Sequence, residues 1–367
     1  MAGYIIKRLL GIIPILFIIT WLGFFMLSQN ADNAVNSYLS SPNNAHVGGN
    51  VAQQKIYWKK KLGYDLPLFY FSVNPLSENI NSYKRLIPII QWNGTANQYN
   101  RWLLGSENSK GIIRGDFGKS YKTNEPVMQI IKERVGWSIF FSLSAIIIAY
   151  LISIPLGITL AKKKGTRFYK WTTSFLLFMY SMPPFFIGIL LVMIFANTDV
   201  LNWLPASGIK PIEGYEHSST LLQKITNTIP YIILPMVCYV YSSISFITHL
   251  TEASINEQLT FDYIRTAKAK GLSHHQIIYK HALKNSVLPL ITTFSSIFPS
   301  VIGGSIIIET LFSIPGMGNQ TVQAILAHDY PIVIAIVTLT SIITLISYIL
   351  TDIVYVLVDK RIKLDIK

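Results

Sequence analysis

The chain has 367 residues, of which 51% are hydrophobic and only 13% charged, and its mean hydropathy is +0.41. Soluble domains carry about 25% charged residues, so this composition excludes an ordinary soluble fold. The net charge of +13 would suit nucleic acid, yet neither zinc-ligand spacing nor an aromatic-basic stacking surface accompanies it. Basic residues in a polytopic chain instead anchor loops against anionic lipid.

The first apolar run, residues 9–27, follows Lys7 and Arg8 and ends at Ser28-Gln29-Asn30. It is longer than the roughly 7–15 apolar residues of a signal peptide and predicts a retained first transmembrane helix. Residues 30–134 are polar, aromatic and turn-rich. Trp58, Trp92, Trp102 and many tyrosines predict a small folded layer, Asn93-Gly94 a turn, and Lys59-Lys60-Lys61 a solvated face.

Five more apolar runs follow, at residues 137–160, 171–196, 229–247, 287–311 and 332–357. Each reaches the length of about 20 residues that a helix needs to cross a bilayer. The expected fold class is an all-α integral membrane protein with six transmembrane helices. Residues 1–29 hold the first of these, residues 30–134 an extracellular segment, and residues 135–358 a five-helix core.

Short loops set the orientation. Residues 161–170 hold Lys162, Lys163, Lys164, Arg167 and Lys170, whereas residues 312–331 hold no Lys or Arg. The first loop is therefore expected in the cytoplasm, with both termini and the tail 359–367 carrying Lys360, Arg361, Lys363 and Lys367. Residues 312–331 and 30–134 are expected outside. Cys238, the one cysteine, sits in an apolar run, so no disulfide framework or Cys-based metal site is expected.

Between the fourth and fifth spans, residues 249–286 read as a helical hairpin. The first helix, residues 259–270, stops at Gly271, and the second starts at Ser273 with Gln276 three residues on, a capping box. It runs on to Leu288-Pro289, where the next span begins. The first helix mixes Phe261, Tyr263, Ile264 and Ala267 with Asp262, Arg265, Lys268 and Lys270. That mixture suits another protein's groove; an amphipathic helix resting on the bilayer surface is the other reading.

Ionisable residues inside spans are functional candidates. Glu309 reads either as an interfacial carboxylate paired with a loop or as a lining of the path. Asp352 reads as structural and hydrogen-bonded. Ser181-Met182-Pro183-Pro184 is expected to break the third span and free carbonyls that protein or a water-filled cavity must satisfy. Gly303-Gly304 would allow close helix approach. Ser181, Pro183, Pro184, Gly303, Gly304 and Glu309 are the candidates for the translocation path.

Catalytic motifs are missing. No Gly-x-x-x-x-Gly-Lys-Ser/Thr loop is present, and residues 104–111, the nearest Gly/Lys/Ser-rich stretch, have the wrong spacing. There is no Gly-x-Ser-x-Gly elbow, and His274-His275 and His281 lack the arrangement of a zinc protease. The chain is not expected to be catalytic by itself.

Tyr263-Ile264-Arg265-Thr266-Ala267-Lys268-Ala269-Lys270-Gly271-Leu272-Ser273, followed by His281-Ala282-Leu283-Lys284-Asn285 and Leu288-Pro289, resembles the docking loop of ABC importer permeases. The branch it resembles is the dipeptide/oligopeptide/nickel one, the OppB/DppB type. The likeness extends to Gly115-Asp116-Phe117-Gly118-Lys119-Ser120 with Pro126-Val127, Pro155-Leu156-Gly157, Ser181-Met182-Pro183-Pro184-Phe185, residues 308–318 and Asp329-Tyr330-Pro331. Arg265-Thr266-Ala267 stands where other permeases of this class carry Glu-Ala-Ala, a form that itself resembles the peptide branch. Two departures stand out: Asp359-Lys360-Arg361 stands where the family often has Asp-Pro-Arg, and the first outside segment is longer than in compact members.

The resemblance implies a type I importer core moving oligopeptides in a bacterial cell membrane. It also implies that Phe261, Asp262, Tyr263, Ile264, Arg265, Thr266, Ala267, Lys268, Ala269, Lys270 and Gly271 dock an ATPase. The implied partners are a second homologous permease, two cytoplasmic ATPases that bind ATP and Mg, and an extracellular or periplasmic binding protein. The same machine for dipeptides, nickel or a signalling peptide is an alternative. A stand-alone secondary transporter would show an internal repeat or a chain of intramembrane charges, and neither is present.

Overall fold

The computed structural model describes residues 2–28, 35–36, 39, 50–74, 89–105, 110–210 and 220–358. The basic tail at Lys360, Arg361, Lys363 and Lys367 lies outside these. The chain is mostly helical and divides into two compact units, Met1–Leu9 with Arg134–Gln320 and Ile342–Lys367, and Leu10–Glu133 with Thr321–Ser341.

In chain order the elements begin with α1 (Ala2–Ser28), α2 (Val51–Leu62), β1 (Phe71–Asn74), β2 (Ile89–Trp92) and α3 (Gln98–Leu104). Next come α4 (Val127–Lys162), α5 (Arg167–Ser181), α6 (Pro184–Leu191), α7 (Leu221–Gln258) and α8 (Asp262–Ala269). The last are α9 (His274–Gln276), α10 (Leu283–Gly303), α11 (Ile306–Leu311), α12 (Met317–Leu326) and α13 (Tyr330–Val358).

Among the described residues, three helices are long and apolar enough to cross a membrane: Val127–Lys162, Leu221–Gln258 and Tyr330–Leu357. A fourth arises if Arg167–Ser181 and Pro184–Phe195 form one span, bent by 96°. The apolar stretches Leu10–Phe25 and Ser300–Leu311 are shorter. The expected fifth span is interrupted because Gly304 takes φ +67, a left-handed conformation closed to most side chains, between α10 and α11.

In the first unit, helices approach through small residues and are tied by hydroxyls. A Cβ on Gly157 of α4 would stand 2.6 Å from Cβ of Thr251 on α7. Ser153 donates to the Ile244 carbonyl at 3.1 Å and Ser245 to the Leu176 carbonyl at 2.8 Å. Such small-residue contacts and interhelical hydrogen bonds replace the hydrophobic driving force that lipid does not provide.

In the second unit, β1 and β2 pair antiparallel with Phe71 opposite Trp92. Tyr99 of α3 is fully buried among Phe24, Phe69, Tyr70 and Trp102, and its hydroxyl lies 2.9 Å from Thr20 Oγ1. The expected folded layer thus has an aromatic core, completed by α1. Two motifs of the resemblance also meet here, since Asp329 accepts from the Ser120 hydroxyl and, at 3.0 Å, from the Tyr121 N–H.

Candidate functional site

α8 is the short helix of the hairpin, and its faces differ. Ile264 and Ala267 are buried against Ile158 and Ala161 of α4, Ile255 of α7, and Ile277, Ile278 and Ala282. Phe261, Asp262, Tyr263, Arg265, Thr266, Lys268, Ala269 and Lys270 are exposed. The rings of Phe261 and Tyr263 stack with centroids 6.2 Å apart, and Arg265 pairs with Asp262 at 3.1 Å. Of the residues implied to dock an ATPase, Ile264 and Ala267 therefore face the chain's own core and seat the helix. The others form its outward surface.

Local chemistry fixes the hairpin. Gly271 takes φ +77 just beyond α8, and Ser273 with Gln276 makes a full capping box at α9. A π-helical turn, Ile277–Ala282, then leads into α10. Such turns mark functional sites more often than regular helix does. Lys162 at the end of α4 lies over the Tyr279 ring at 4.5 Å, adding a cation–π tie. An aromatic and cationic surface is thus mounted on a rigid base at the ends of two long helices.

The break in the third span is where the Ser181–Pro184 motif predicts it. Ser181 closes α5 with its hydroxyl donating to the Leu177 carbonyl at 2.9 Å, Pro183 stands at the N-cap of α6, and Pro184 is its first residue. The Met182 carbonyl accepts from the Tyr241 hydroxyl on α7 at 2.6 Å. A protein group therefore satisfies the backbone at the bend, as a low-dielectric setting requires. Gly303 ends α10 and Gly304 makes the turn.

Glu309 has no exposed surface. Its Oε1 accepts from Ser138 Oγ at 2.7 Å and from Tyr239 OH at 3.2 Å, and its Oε2 accepts from the Asn319 N–H at 3.0 Å. A side chain on Gly304 or Gly316 would overlap the carboxylate. The carboxylate is thus held by groups of α4, α7 and the first turn of α12. Sequence reasoning missed Ser138, Tyr239 and Asn319. Their only signal is a polar group inside an apolar run for the first two, and nothing in the chain pairs them with Glu309.

The family model for the binding-protein-dependent transport system inner membrane component matches residues 153–364, more than half of the chain. The oligopeptide transport system permease protein AppB of Bacillus subtilis is 31% identical over 72% of this chain and 80% of its own length. The inner membrane ABC transporter permease protein YejB of Escherichia coli O157:H7 is 35% identical over 69% of each chain. The peptidoglycan transport system permease protein YejB of Agrobacterium fabrum is 33% identical, again over 69% of each. A solved MetNI methionine ABC transporter chain aligns at 15% identity and TM-score 0.49, covering 64% of this chain and 99% of that one. The chain belongs to the family of binding-protein-dependent transport system inner membrane components, the permease subunits of ABC importers.

Proposed function

We propose that this chain is one half of the membrane channel of an ATP-driven importer of oligopeptides. Six spans cross the membrane, with the broken third and fifth runs counted as single spans. Both termini and the α8 hairpin lie in the cytoplasm, and residues 30–134 lie outside. A second, homologous permease completes the path. Two ATPase subunits hold ATP and Mg in the cytoplasm, and a binding protein delivers peptide from outside. The chain itself catalyses nothing.

The observation that carries this reading is the hairpin, in which Ile264 and Ala267 anchor α8 while Phe261, Tyr263, Arg265 and Lys268 face outward. An anchored helix can transmit displacement, and an exposed aromatic face suits a groove. ATP-driven closure of the ATPases would move α8 and, through the bases of α4 and α7, reorient the bundle between two states. The peptide cargo is supported by the names of the relatives, chiefly AppB.

The test is reconstitution of the complex in vesicles with ATP inside and the loaded binding protein outside. Labelled oligopeptide should accumulate only when the ATPases are present and ATP is hydrolysed. Accumulation by this chain alone would overturn the reading. Replacing Phe261 and Tyr263 together with alanine should abolish accumulation while the complex still inserts.

A further inference from the structure

The carboxylate of Glu309 closes two hydroxyl relays that begin at opposite ends of one segment. At the start of that segment the Ser305 N–H donates to Tyr239 OH on α7 at 3.2 Å, and near its end the Met317 N–H donates to Ser138 Oγ on α4 at 2.7 Å. Both hydroxyls then donate to the same oxygen, Oε1 of Glu309, at 3.2 and 2.7 Å. A hydroxyl that accepts from a backbone N–H must send its own proton elsewhere, and the carboxylate receives both. Oε2 meanwhile accepts from Asn319 in the first turn of α12. Bonds to an ionised acceptor are roughly twice as strong as neutral ones, and chained hydroxyls strengthen one another.

The same two helices that supply the hydroxyls supply the base of the hairpin. α4 places Ser138 in the relay and Ile158 and Ala161 in the hairpin core; α7 places Tyr239 in the relay and Ile255 in the core. From Ser138 to Ala161 is 23 residues, about 35 Å at 1.5 Å per residue. Two continuous helices thus run from the hairpin to one carboxylate.

We propose that Glu309 is a positioning residue for transport: a clasp that fixes the Ser305–Asn319 segment to α4 and α7, so that displacement of the hairpin is delivered to that segment. The clasp rests on the function proposed above and goes beyond it by assigning a residue to the mechanical link. Glu309 acts through the segment it holds. Removing the clasp leaves the hairpin and its docking face intact while freeing the segment to lag behind the helices.

The experiment measures ATP hydrolysis by the reconstituted complex with and without peptide-loaded binding protein, together with the yield of assembled complex. In Glu309→Gln an NH2 group replaces one accepting oxygen, so the amide loses either the Asn319 N–H bond or both relays. The expected result is assembly at wild-type yield with stimulation by the loaded binding protein reduced about tenfold, a usual size for coupling between sites. Tyr239→Phe, which keeps the carboxylate and cuts only the Ser305 relay, should lose part of the stimulation, and it decides the matter if Glu309→Gln does not assemble. Stimulation equal to wild type in the variants, or a loss that follows only the amount of assembled complex, would overturn the clasp. A wild-type complex without stimulation would overturn the proposed function and the clasp with it, an outcome distinguishable from failure of the clasp alone.

Discussion

Arg8 of α1 and Asp352 of α13 form an ion pair at 3.2 Å, joining the first helix to the last. An acidic residue inside an apolar span invites a pathway role; here it is paired with a basic side chain of the same chain. Arg8 remains half-exposed and Asp352 partly so. A double-mutant cycle with Arg8→Ala and Asp352→Asn should therefore show a coupling of about 1 kcal/mol, the range of partly solvated pairs. Thermal unfolding in detergent measures it, and additive losses would mean that the two side chains do not stabilise each other.

Ile264 and Phe261 are three residues apart and opposite in role. Ile264→Ala should destabilise the chain by about 2–5 kcal/mol, because the side chain is fully buried and leaves a cavity beneath α8. Phe261→Ala should leave the unfolding temperature unchanged and lower peptide-stimulated hydrolysis. Equal effects of the two substitutions on unfolding would contradict the division of α8 into a seated and a presented face.

Gly157 marks a close approach of α4 to α7, with a Cβ there falling 2.7 Å from the Thr248 carbonyl oxygen. Gly157→Val should force the helices apart at a cost of about 1–3 kcal/mol, as overpacking does. The loss should appear as a lowered unfolding temperature of the purified chain. A compensating Thr251→Ala, which removes the methyl in the way, should restore part of it.

Asp329 gives the second unit a pH dependence. Burial raises its pKa above the ordinary 3.8, against the opposing hydrogen bonds of Ser120 and of the Tyr121 and Lys122 N–H groups and the charge of Lys122. Tyr64, hydrogen-bonded to Tyr121 beside it, is pushed up to about 12, again mainly by burial, and stays neutral. For a carboxyl whose folded pKa lies above its unfolded one, the native state holds more protons between the two values. Its contribution is then greatest below 3.8 and declines as pH rises through the folded pKa. Hydrogen exchange at the Tyr121 and Lys122 amides should slow as the medium is acidified toward that window, beyond the intrinsic effect of pH. Asp329→Asn should abolish the excess.

Local signals carried well from chain to structure. The Ser181–Pro184 break, the Gly271 stop and the Ser273–Gln276 box all stand where residue chemistry puts them, because each depends on neighbours within a few positions. The fifth run carried less well. Its apolar content predicted one span over residues 287–311, whereas Gly304 divides it, since a hydropathy pattern does not register a backbone turn imposed by packing around a carboxylate.

By itself the sequence determined that this is a membrane chain with apolar spans and a Gly-stopped hairpin, properties of composition and of short segments. Only the tertiary structure decided which face of α8 is seated and which is presented, and which side chains meet the Glu309 carboxylate. Ser138 is 171 residues from Glu309, and Ser120 is 209 from Asp329. Contacts across such separations depend on how each helix is rotated about its axis and where it crosses its neighbours, which side-chain packing settles and no local pattern records.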